Sequence, residues 1–334
     1  MRSWRWLAGL IIGLVVVTAG IVVTLDSPVQ DSALREGTEV TVDSGRIVYF
    51  ASADEGAGSY MVADPRSRTS VPLTDVGAEV DRGALEPDGR SALVACVPDG
   101  LETSADLAEN LGICRLDLAS GLRTLVVDAG YPVQHPTPSP DGESIVFASG
   151  AEADHGLKLT STGGGEVHSL CSGFCPLYRF FDIAWSPDGT KVAFVGSTPG
   201  SGGHLPQIYV VTVGESDYTR LTNTRGMESA PDWSPDGTKL AFSSSRTGDT
   251  ELWVMNADGS DQVQLTDRDD IDIDPSWSPD GTTLVYSRRI DASWDLATIA
   301  ATGGEPAVLS SRSATEVQPR WLSTVKAPNN EVAN

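Results

Sequence analysis

The side chains best suited to chemistry in this sequence are carboxylates that recur at a fixed interval. Glu228, Asp272 and Glu316 are separated by 272 − 228 = 44 and 316 − 272 = 44 residues, and Asp274 lies two positions after Asp272. Three more aspartates occur nearby, at positions 267, 269 and 270. Carboxylate oxygens are the ligands that Ca²⁺ prefers, so these groups could hold a cation if the fold brings them together.

Other interpretations of the same acids remain open. Their spacing matches no EF-hand loop, and Asp and Glu are common in solvated turns. Asp272 and Glu316 could instead be the acid and base of a lyase or glycosidase, which depends on the distance between the two carboxylates. We predict Glu228, Asp272, Asp274 and Glu316 as ligand- or cation-binding residues, with no obligatory cofactor and with Ca²⁺ as the alternative.

The histidines do not form a recognisable catalytic set. His135, His155, His168 and His204 fall in different repeats, without a His-x-x-x-His or His-Glu-x-x-His spacing. The sequence therefore predicts no catalytic residue, and binding is the main functional hypothesis.

The elements that carry the acids are repeats built around one short phrase. Three copies are nearly identical: Trp185-Ser-Pro-Asp-Gly189, Trp233-Ser-Pro-Asp-Gly237 and Trp277-Ser-Pro-Asp-Gly281. Pro138-Ser-Pro-Asp-Gly142 and Leu85-Glu-Pro-Asp-Gly89 are weaker copies. The aspartates of the five copies, Asp88, Asp141, Asp188, Asp236 and Asp280, are 53, 47, 48 and 44 residues apart, an interval typical of propeller blades.

Each phrase predicts the turn between the first two strands of a blade, because Pro fixes φ and Gly accepts a positive φ. In one repeat the later strands would be 239–243, 251–255 and 263–266. The strand before the turn often has Pro two residues before the Trp position, at Pro136, Pro231, Pro275 and Pro319. Since Pro suits only an edge strand, we place this strand innermost, along the channel, with the Trp packed between blades.

The ends of the repeat region complete one another. The segment 45–50 matches the strand that follows each turn, and Pro319-Arg-Trp321 matches an inner strand that has no blade after it. We therefore predict an all-β, six-bladed propeller in which the C-terminal inner strand pairs with the first blade. This arrangement removes the open edge of a linear array.

The turn phrases resemble the propeller repeats of the TolB-like (PD40) family, over about residues 44 to 323. The resemblance implies the propeller fold and its strand closure. It says little about function, because propellers host many activities. The separate N-terminal α/β domain of the envelope-assembly members has no counterpart before the first strand, so a role like theirs does not follow.

The N-terminal segment predicts a membrane anchor. Residues 7–25 include 25 − 7 + 1 = 19 positions without a charge, enough to cross a bilayer as a helix at ~1.5 Å per residue. Arg2 and Arg5 precede the segment and Asp26 follows it, which places the propeller outside the cell membrane. A signal peptide cleaved after Ala19, giving a secreted protein, is the alternative. The predicted organisation is a cytoplasmic end at 1–6, the anchor at 7–25, a linker at 26–43, the propeller at 44–323 and a flexible tail at 324–334.

Charge and cysteine content narrow the class of partner. The chain of 334 residues has 46 acidic and 23 basic side chains, a net charge of −23, which excludes nucleic acid as a natural partner.

Outside the cytoplasm, four cysteines predict two disulfides. Cys96 and Cys114 fall on facing strands of one blade, and Cys171 and Cys175 could close a tight loop. A metal site at His168, Cys171 and Cys175 is the alternative for the second pair.

These observations predict a function in binding. We expect a non-enzymatic, membrane-tethered propeller on the extracytoplasmic side that acts as a scaffold for an envelope protein, a peptide or a glycan, and we expect it to be a monomer. The alternative is a carbohydrate-active enzyme, a lyase or glycosidase, with its acidic site at the channel mouth.

Overall fold

A computed structural model describes residues 46–321 of the chain, with internal gaps. The positions that it leaves out within this range are 55–56, 67–68, 78–83, 97–111, 119, 151–154, 171–176, 178, 198–204, 216, 269, 291–292 and 310–314. The predicted anchor at 7–25, the linker at 26–43, the tail at 324–334 and the Cys171–Cys175 pair lie outside the described residues. Within the described ranges, no helix is both long and apolar enough to span a bilayer.

The described strands form a six-bladed propeller, as the repeats predict. Each blade is one antiparallel sheet of four strands. Blade 1 is unusual because it combines both ends of the propeller, in the order β24 (Thr315–Trp321), β1 (Ile47–Asp54), β2 (Ala57–Asp64) and β3 (Thr69–Gly77).

In the other blades, the strands follow the order of the chain. Blade 2 contains β4 (Ala84–Leu85), β5 (Ser91–Cys96), β6 (Gly112–Asp117) and β7 (Arg123–Asp128). Blade 3 contains β8 (Val133–Pro138), β9 (Ser144–Ser149), β10 (Gly156–Ser161) and β11 (His168–Ser169). Blade 4 contains β12 (Arg179–Trp185), β13 (Lys191–Ser197), β14 (Gln207–Thr212) and β15 (Tyr218–Arg220). Blade 5 contains β16 (Glu228–Trp233), β17 (Lys239–Ser244), β18 (Glu251–Asn256) and β19 (Val263–Gln264). Blade 6 contains β20 (Ile271–Trp277), β21 (Thr283–Ile290), β22 (Ser293–Ala300) and β23 (Ala307–Val308).

The repeated phrase forms the turn between the first and second strands of a blade. In blade 5, the N–H of Gly237 donates to the carbonyl of Ser234 at 2.8 Å, and Gly237 has a φ of 69°. Oδ1 of Asp236 accepts hydrogen bonds from the Ser234 hydroxyl at 2.6 Å and from the backbone N–H of Thr238 at 3.0 Å. These bonds lower the pKa of Asp236 to about 2, the Ser234 hydroxyl contributing most. The Asp of the phrase is therefore a structural residue of the turn.

The tryptophans of the phrase lie between neighbouring blades. The indole N–H of Trp185 donates to the carbonyl of Thr137 at 3.1 Å, and that of Trp277 donates to the carbonyl of Asp232 at 3.2 Å. In each pair, the acceptor residue stands immediately before the residue that occupies the Trp position in the preceding blade. The indole N–H thus adds a hydrogen bond between two neighbouring sheets.

The C-terminal strand β24 is hydrogen-bonded to β1. Ile47 is paired with Trp321 and Ala51 with Glu316, so the two ends of the described chain run antiparallel within one sheet. The chain enters and leaves blade 1 at the same corner, which corresponds to the turn between first and second strands in the other blades.

The disulfide predicted in blade 2 is confirmed. Cys96 and Cys114 are bonded, with their Cα atoms 5.8 Å apart. Cys96 is paired with Gly112 across the sheet and Cys114 with Val94, so the bond runs diagonally between β5 and β6. It links the two ends of the segment 97–111, which lies outside the described residues.

Candidate functional site: the central channel

The inner strands of the blades surround a cavity of about 860 Å³ on the propeller axis. This volume lies within the range of small-molecule and peptide sites. Its walls come from β8, β12, β16, β20 and β24, together with residues of β1, β2 and β4 and the turns of blades 2 and 3. Side chains from all six blades therefore converge on this cavity.

A β-bulge in each of the strands β8, β12, β16, β20 and β24 shapes the channel wall. In β16, Ser229 is paired with Ser243 and Asp232 with Ala241, so two residues of β16 face one of β17. The first of the two has a positive φ in every case, at His135, Asp182, Ala230, Asp274 and Gln318. The second is Pro in four of the five strands, where no ladder hydrogen bond is needed. The bulge turns the side chain at its first position towards the axis.

Three successive blades each contribute one aspartate to the channel: Asp182, Asp232 and Asp274. Oδ2 of Asp182 accepts a hydrogen bond from the N–H of Ala230 at 2.9 Å. Oδ2 of Asp232 accepts one from the N–H of Trp277 at 2.8 Å. Both bonds cross from one blade to the next, so the carboxylates are held in place by the ring itself.

Asp232 has a perturbed pKa. Burial raises its pKa, while attraction to Arg320 and the hydrogen bonds from the Trp277 N–H and the Ser276 hydroxyl lower it in part. Arg320 comes from β24, so the closing strand brings a cation towards an acid of blade 5. The guanidinium of Arg320 also donates to the carbonyl of Pro275 at 3.3 Å.

The charge of the channel wall is strongly unbalanced. Acidic residues predominate over a single arginine, Arg320. The acidic residues of the described wall are Glu86, Asp141, Glu143, Asp182, Asp232 and Asp274. Glu86 is neutralised by Arg115, whose Nε and Nη2 donate to its carboxylate at 2.5 and 2.8 Å. The remaining acids make the channel a region of negative potential.

Of the four acids singled out in the sequence, only Asp274 lines the cavity. Glu228 and Asp272 have 0% exposure and Glu316 has 2%. These three lie two positions before the bulge, and the bulge breaks the alternation that would otherwise put both positions on one face. The structure therefore places them inside the blades rather than around a channel mouth.

Glu228 and Asp272 are members of buried ion pairs. Nη2 of Arg246 donates to Glu228 at 2.8 Å, and Arg288 makes two parallel bonds to Asp272 at 2.8 and 2.7 Å. Such pairing satisfies the carboxylates and fixes the end of the inner strand against the second strand of the same blade. With both oxygens of Asp272 occupied by Arg288, the arrangement does not present this residue as the acid or base of a glycosidase.

The described residues contain no group of three or more His, Cys, Asp or Glu that could share a metal ion. Asp269 and His204 lie outside the described ranges, as do Cys171 and Cys175. His168 is exposed on β11. The metal alternative at His168, Cys171 and Cys175 thus stays a prediction. The four acids predicted to bind Ca²⁺ are not brought together, because Glu228, Asp272 and Glu316 lie inside the blades and only Asp274 lines the cavity.

Sequence reasoning missed four of the channel residues: His135, Asp182, Asp232 and Arg320. The first two stand immediately before the Pro position or its equivalent, as Asp274 does. Asp232 and Arg320 stand immediately before the Trp. The signal that could have found His135, Asp232 and Arg320 is the Pro of the same strand, since a Pro inside a paired strand indicates a bulge and a change of facing. The strand of Asp182 has Ile183 at that position and gives no such signal.

Comparison with known proteins agrees with this architecture. Residues 182–328 match the model of the TolB beta propeller domain, PD40. A comparison with curated proteins gave no significant match.

Solved propellers superpose on much of the chain. A protein assigned as TolB from Agrobacterium tumefaciens is 24% identical, covers 80% of this chain and 90% of its own, and has a TM-score of 0.61. TolB from Acinetobacter baumannii is 22% identical, with 83% of this chain and 66% of its own covered, and a TM-score of 0.64. An oligogalacturonate lyase in complex with manganese is 16% identical, with coverage of 75% and 77% and a TM-score of 0.51. At these identities the likeness shows the fold alone. The matched domain, the repeated phrase and the six-bladed ring agree: the described chain is a six-bladed β-propeller, and its residues 182–328 match the TolB-like, PD40 repeat family.

Proposed function

We propose that this chain is a non-enzymatic binding scaffold whose central channel takes a positively charged segment of a partner protein. The observation that carries the proposal is the cavity of about 860 Å³ whose described wall has several carboxylates and a single arginine. A peptide that carries Lys or Arg side chains complements this charge, and a glycan without charge does not.

The rigidity of the site supports a binding role. Asp182 and Asp232 are each hydrogen-bonded to the backbone of the next blade, so they do not have to be ordered when a ligand arrives. A preorganised site loses less conformational entropy on binding than a flexible one. The channel can therefore give useful affinity with few contacts.

The scaffold is proposed to lie outside the cell membrane, held by residues 7–25. The Cys96–Cys114 disulfide supports this location, because structural disulfides persist mainly in oxidising compartments. The charge pattern around the apolar segment supports the same orientation.

The pairing of β24 with β1 is proposed to hold the ring of blades closed. The channel brings together residues from blades that are distant in sequence, and Arg320 of β24 faces Asp232 of blade 5. A ring that opened at blade 1 would separate these groups. Binding at the channel thus depends on the closed state.

A peptide titration tests the proposal. The full 334-residue chain in mild detergent is titrated with a fluorescein-labelled acetyl-Gly-Lys-Ala-Lys-Gly-amide, and the anisotropy is followed. We expect saturable binding that weakens in 0.5 M NaCl, because salt screens the attraction. The matching peptide with Glu in place of Lys should not bind.

Two double variants locate the site. Asp182→Asn with Asp274→Asn removes two channel charges and should weaken binding at least about tenfold. Asp249→Asn with Asp258→Asn removes two exposed charges that do not line the cavity and should leave the affinity unchanged. If the Lys peptide shows no binding, or if both variants weaken it equally, the channel is not the site.

A further inference from the structure

Blade 2 lacks an aromatic side chain at two interblade positions. Leu85 occupies the position that is Trp in blades 4, 5 and 6. Val94 lies five residues after the Gly of its turn, where the other blades have an aromatic residue. By the pairing of each second strand with its inner strand, those aromatic residues are Tyr49, Phe147, Phe194, Phe242 and Tyr286. The contact between blades 1 and 2 is therefore filled by less side-chain volume.

Beside this contact, the ring of Phe50 in blade 1 is partly exposed and lines the channel cavity, whereas Tyr49 next to it is 1% exposed. The Phe50 ring lies 5.7 Å from that of Tyr60, in an edge-to-face arrangement. Val48, Tyr60 and Leu85 line the cavity beside it. An apolar recess thus extends from the channel between blades 1 and 2, and we call it the side pocket.

The side pocket belongs to a well-packed part of the molecule. Phe50 and Leu85 pack against a buried cluster that includes Val94 and the two cysteines of the disulfide. Glu86, next to Leu85, has 7% exposure and is neutralised by Arg115. The recess therefore has an apolar wall on a rigid support, with its nearest acid already paired.

We propose that the side pocket receives one apolar side chain of a basic peptide whose positive groups face the channel aspartates. The inference rests on the proposed function, which supplies the charge preference, and adds a preference for an apolar residue between the charges. Charge complementarity selects the occupant, because the same cavity presents Asp182, Asp232 and Asp274. The site would thus recognise the pattern basic-apolar-basic rather than charge alone.

The test compares two peptides that differ only in the central side chain. Acetyl-Gly-Lys-Leu-Lys-Gly-amide and its Ala counterpart are titrated into the full chain under identical conditions. We expect the Leu peptide to bind roughly tenfold more tightly, the size of discrimination that a few methylene groups give in an apolar pocket. Leu85→Phe should reduce this ratio and Leu85→Trp should abolish it, because each fills more of the recess.

Controls separate this inference from the proposed function. Leu122→Trp makes the same exchange at an outer position with 66% exposure and should leave the ratio unchanged. The melting temperature of each variant shows whether it is folded, and Leu85→Phe remains informative if Leu85→Trp unfolds. If the two peptides bind equally to the unmodified chain, or if the ratio survives both Leu85 variants, the side-pocket inference is overturned while charge-driven binding stands. If neither Lys peptide binds, the proposed function itself is overturned.

Discussion

The indole N–H of Trp233 donates a hydrogen bond to the backbone carbonyl of Ala184 in the preceding blade, at 3.2 Å. Trp321 stands at the equivalent position of β24, yet its indole N–H has no hydrogen-bond partner among the described residues. The two tryptophans therefore offer a matched pair, in which the ring is the same and the interblade hydrogen bond differs.

Trp233→Phe should lower the free energy of unfolding by about 1 kcal/mol more than Trp321→Phe does. Both substitutions remove part of an indole, but only the first breaks a hydrogen bond and leaves a carbonyl without its donor. Urea denaturation followed by circular dichroism measures both values. Equal losses would show that the bond contributes nothing beyond packing.

Gly226→Ala should destabilise the protein by about 2 kcal/mol or more, because the backbone leaves no room for a side chain. A Cβ at this position would lie 2.3 Å from the backbone nitrogen of Arg246 and 2.5 Å from its Cα. Gly163→Ala is the control, since a Cβ there would meet nothing within 4 Å. Thermal melts of the two variants decide the matter, and a Gly226→Ala protein as stable as the control would contradict the close approach.

The turn aspartates should make stability depend on pH at the acidic end. The pKa of Asp188 and that of Asp236 are each lowered to about 2, chiefly by the hydroxyl of the preceding Ser. Their contribution to the free energy of unfolding is fully present above the pKa of about 4 that Asp has in the unfolded chain. It is lost as the pH falls through about 2. Because the carboxylates are exposed, each contributes less than about 1 kcal/mol.

Asp236→Asn isolates this effect. The stability difference between the unmodified chain and the variant should shrink from pH 5 to pH 2, as measured by urea midpoints at each pH. A difference that stays constant over this range would mean that the charge of Asp236 plays no part in the turn.

Replacing both Cys96 and Cys114 with Ala should cost about 3 kcal/mol, because the bond closes a loop whose ends are 18 positions apart. Mass spectrometry of a non-reduced digest should show the peptides of Cys96 and Cys114 joined in the unmodified chain. The Cys171→Ser and Cys175→Ser double variant is the comparison: if these two cysteines are bonded as the sequence predicts, the shorter loop should give a smaller loss. A Cys96→Ala and Cys114→Ala variant with unchanged stability would show that the bond does not restrict the unfolded chain.

Removing residues 315–334 should abolish the cooperative unfolding of the unmodified protein, because β1 loses its partner strand and presents an open edge. Removing only 325–334 leaves β24 whole and should have little effect. Differential scanning calorimetry distinguishes the two outcomes. If the protein without residues 315–334 melts as the protein without 325–334 does, β24 does not hold the ring of blades closed.

The fold could be predicted from sequence because one turn phrase recurs at blade spacing. Each Ser-Pro-Asp-Gly turn is a local structure, determined by the φ of Pro and Gly and by the hydrogen bonds of Asp, so five copies and the two complementary end fragments were enough to count six blades. The Cys96–Cys114 disulfide could be predicted for the same reason, since aligning the repeats placed both cysteines on facing strands.

The channel residues depend on tertiary geometry and could not be read in the same way. Glu228 and Asp272 recur at equal spacing, but their burial follows from Arg246 and Arg288, which reach them only when the strands pair in register. Asp182 faces the axis because it lies at a bulge and has a positive φ, and no recurring residue type in the sequence indicates this bulge. Equal spacing indicated equivalent positions correctly, and the bulge decided which of those positions line the channel.

The pairing of Ile47 with Trp321 places both ends of the propeller where a sixth Ser-Pro-Asp-Gly turn would otherwise stand. The chain therefore runs once around a closed ring of six blades, with its two ends at one of six equivalent turn positions. Joining residue 321 to residue 46 through a five-residue turn, as between Trp233 and Lys239, and opening the chain at another turn, should therefore give the same ring from a permuted sequence. A membrane tether before residue 46 would suspend the ring by its turn side, so the opposite opening, beside Gly226 and Arg246, would face away from the lipid.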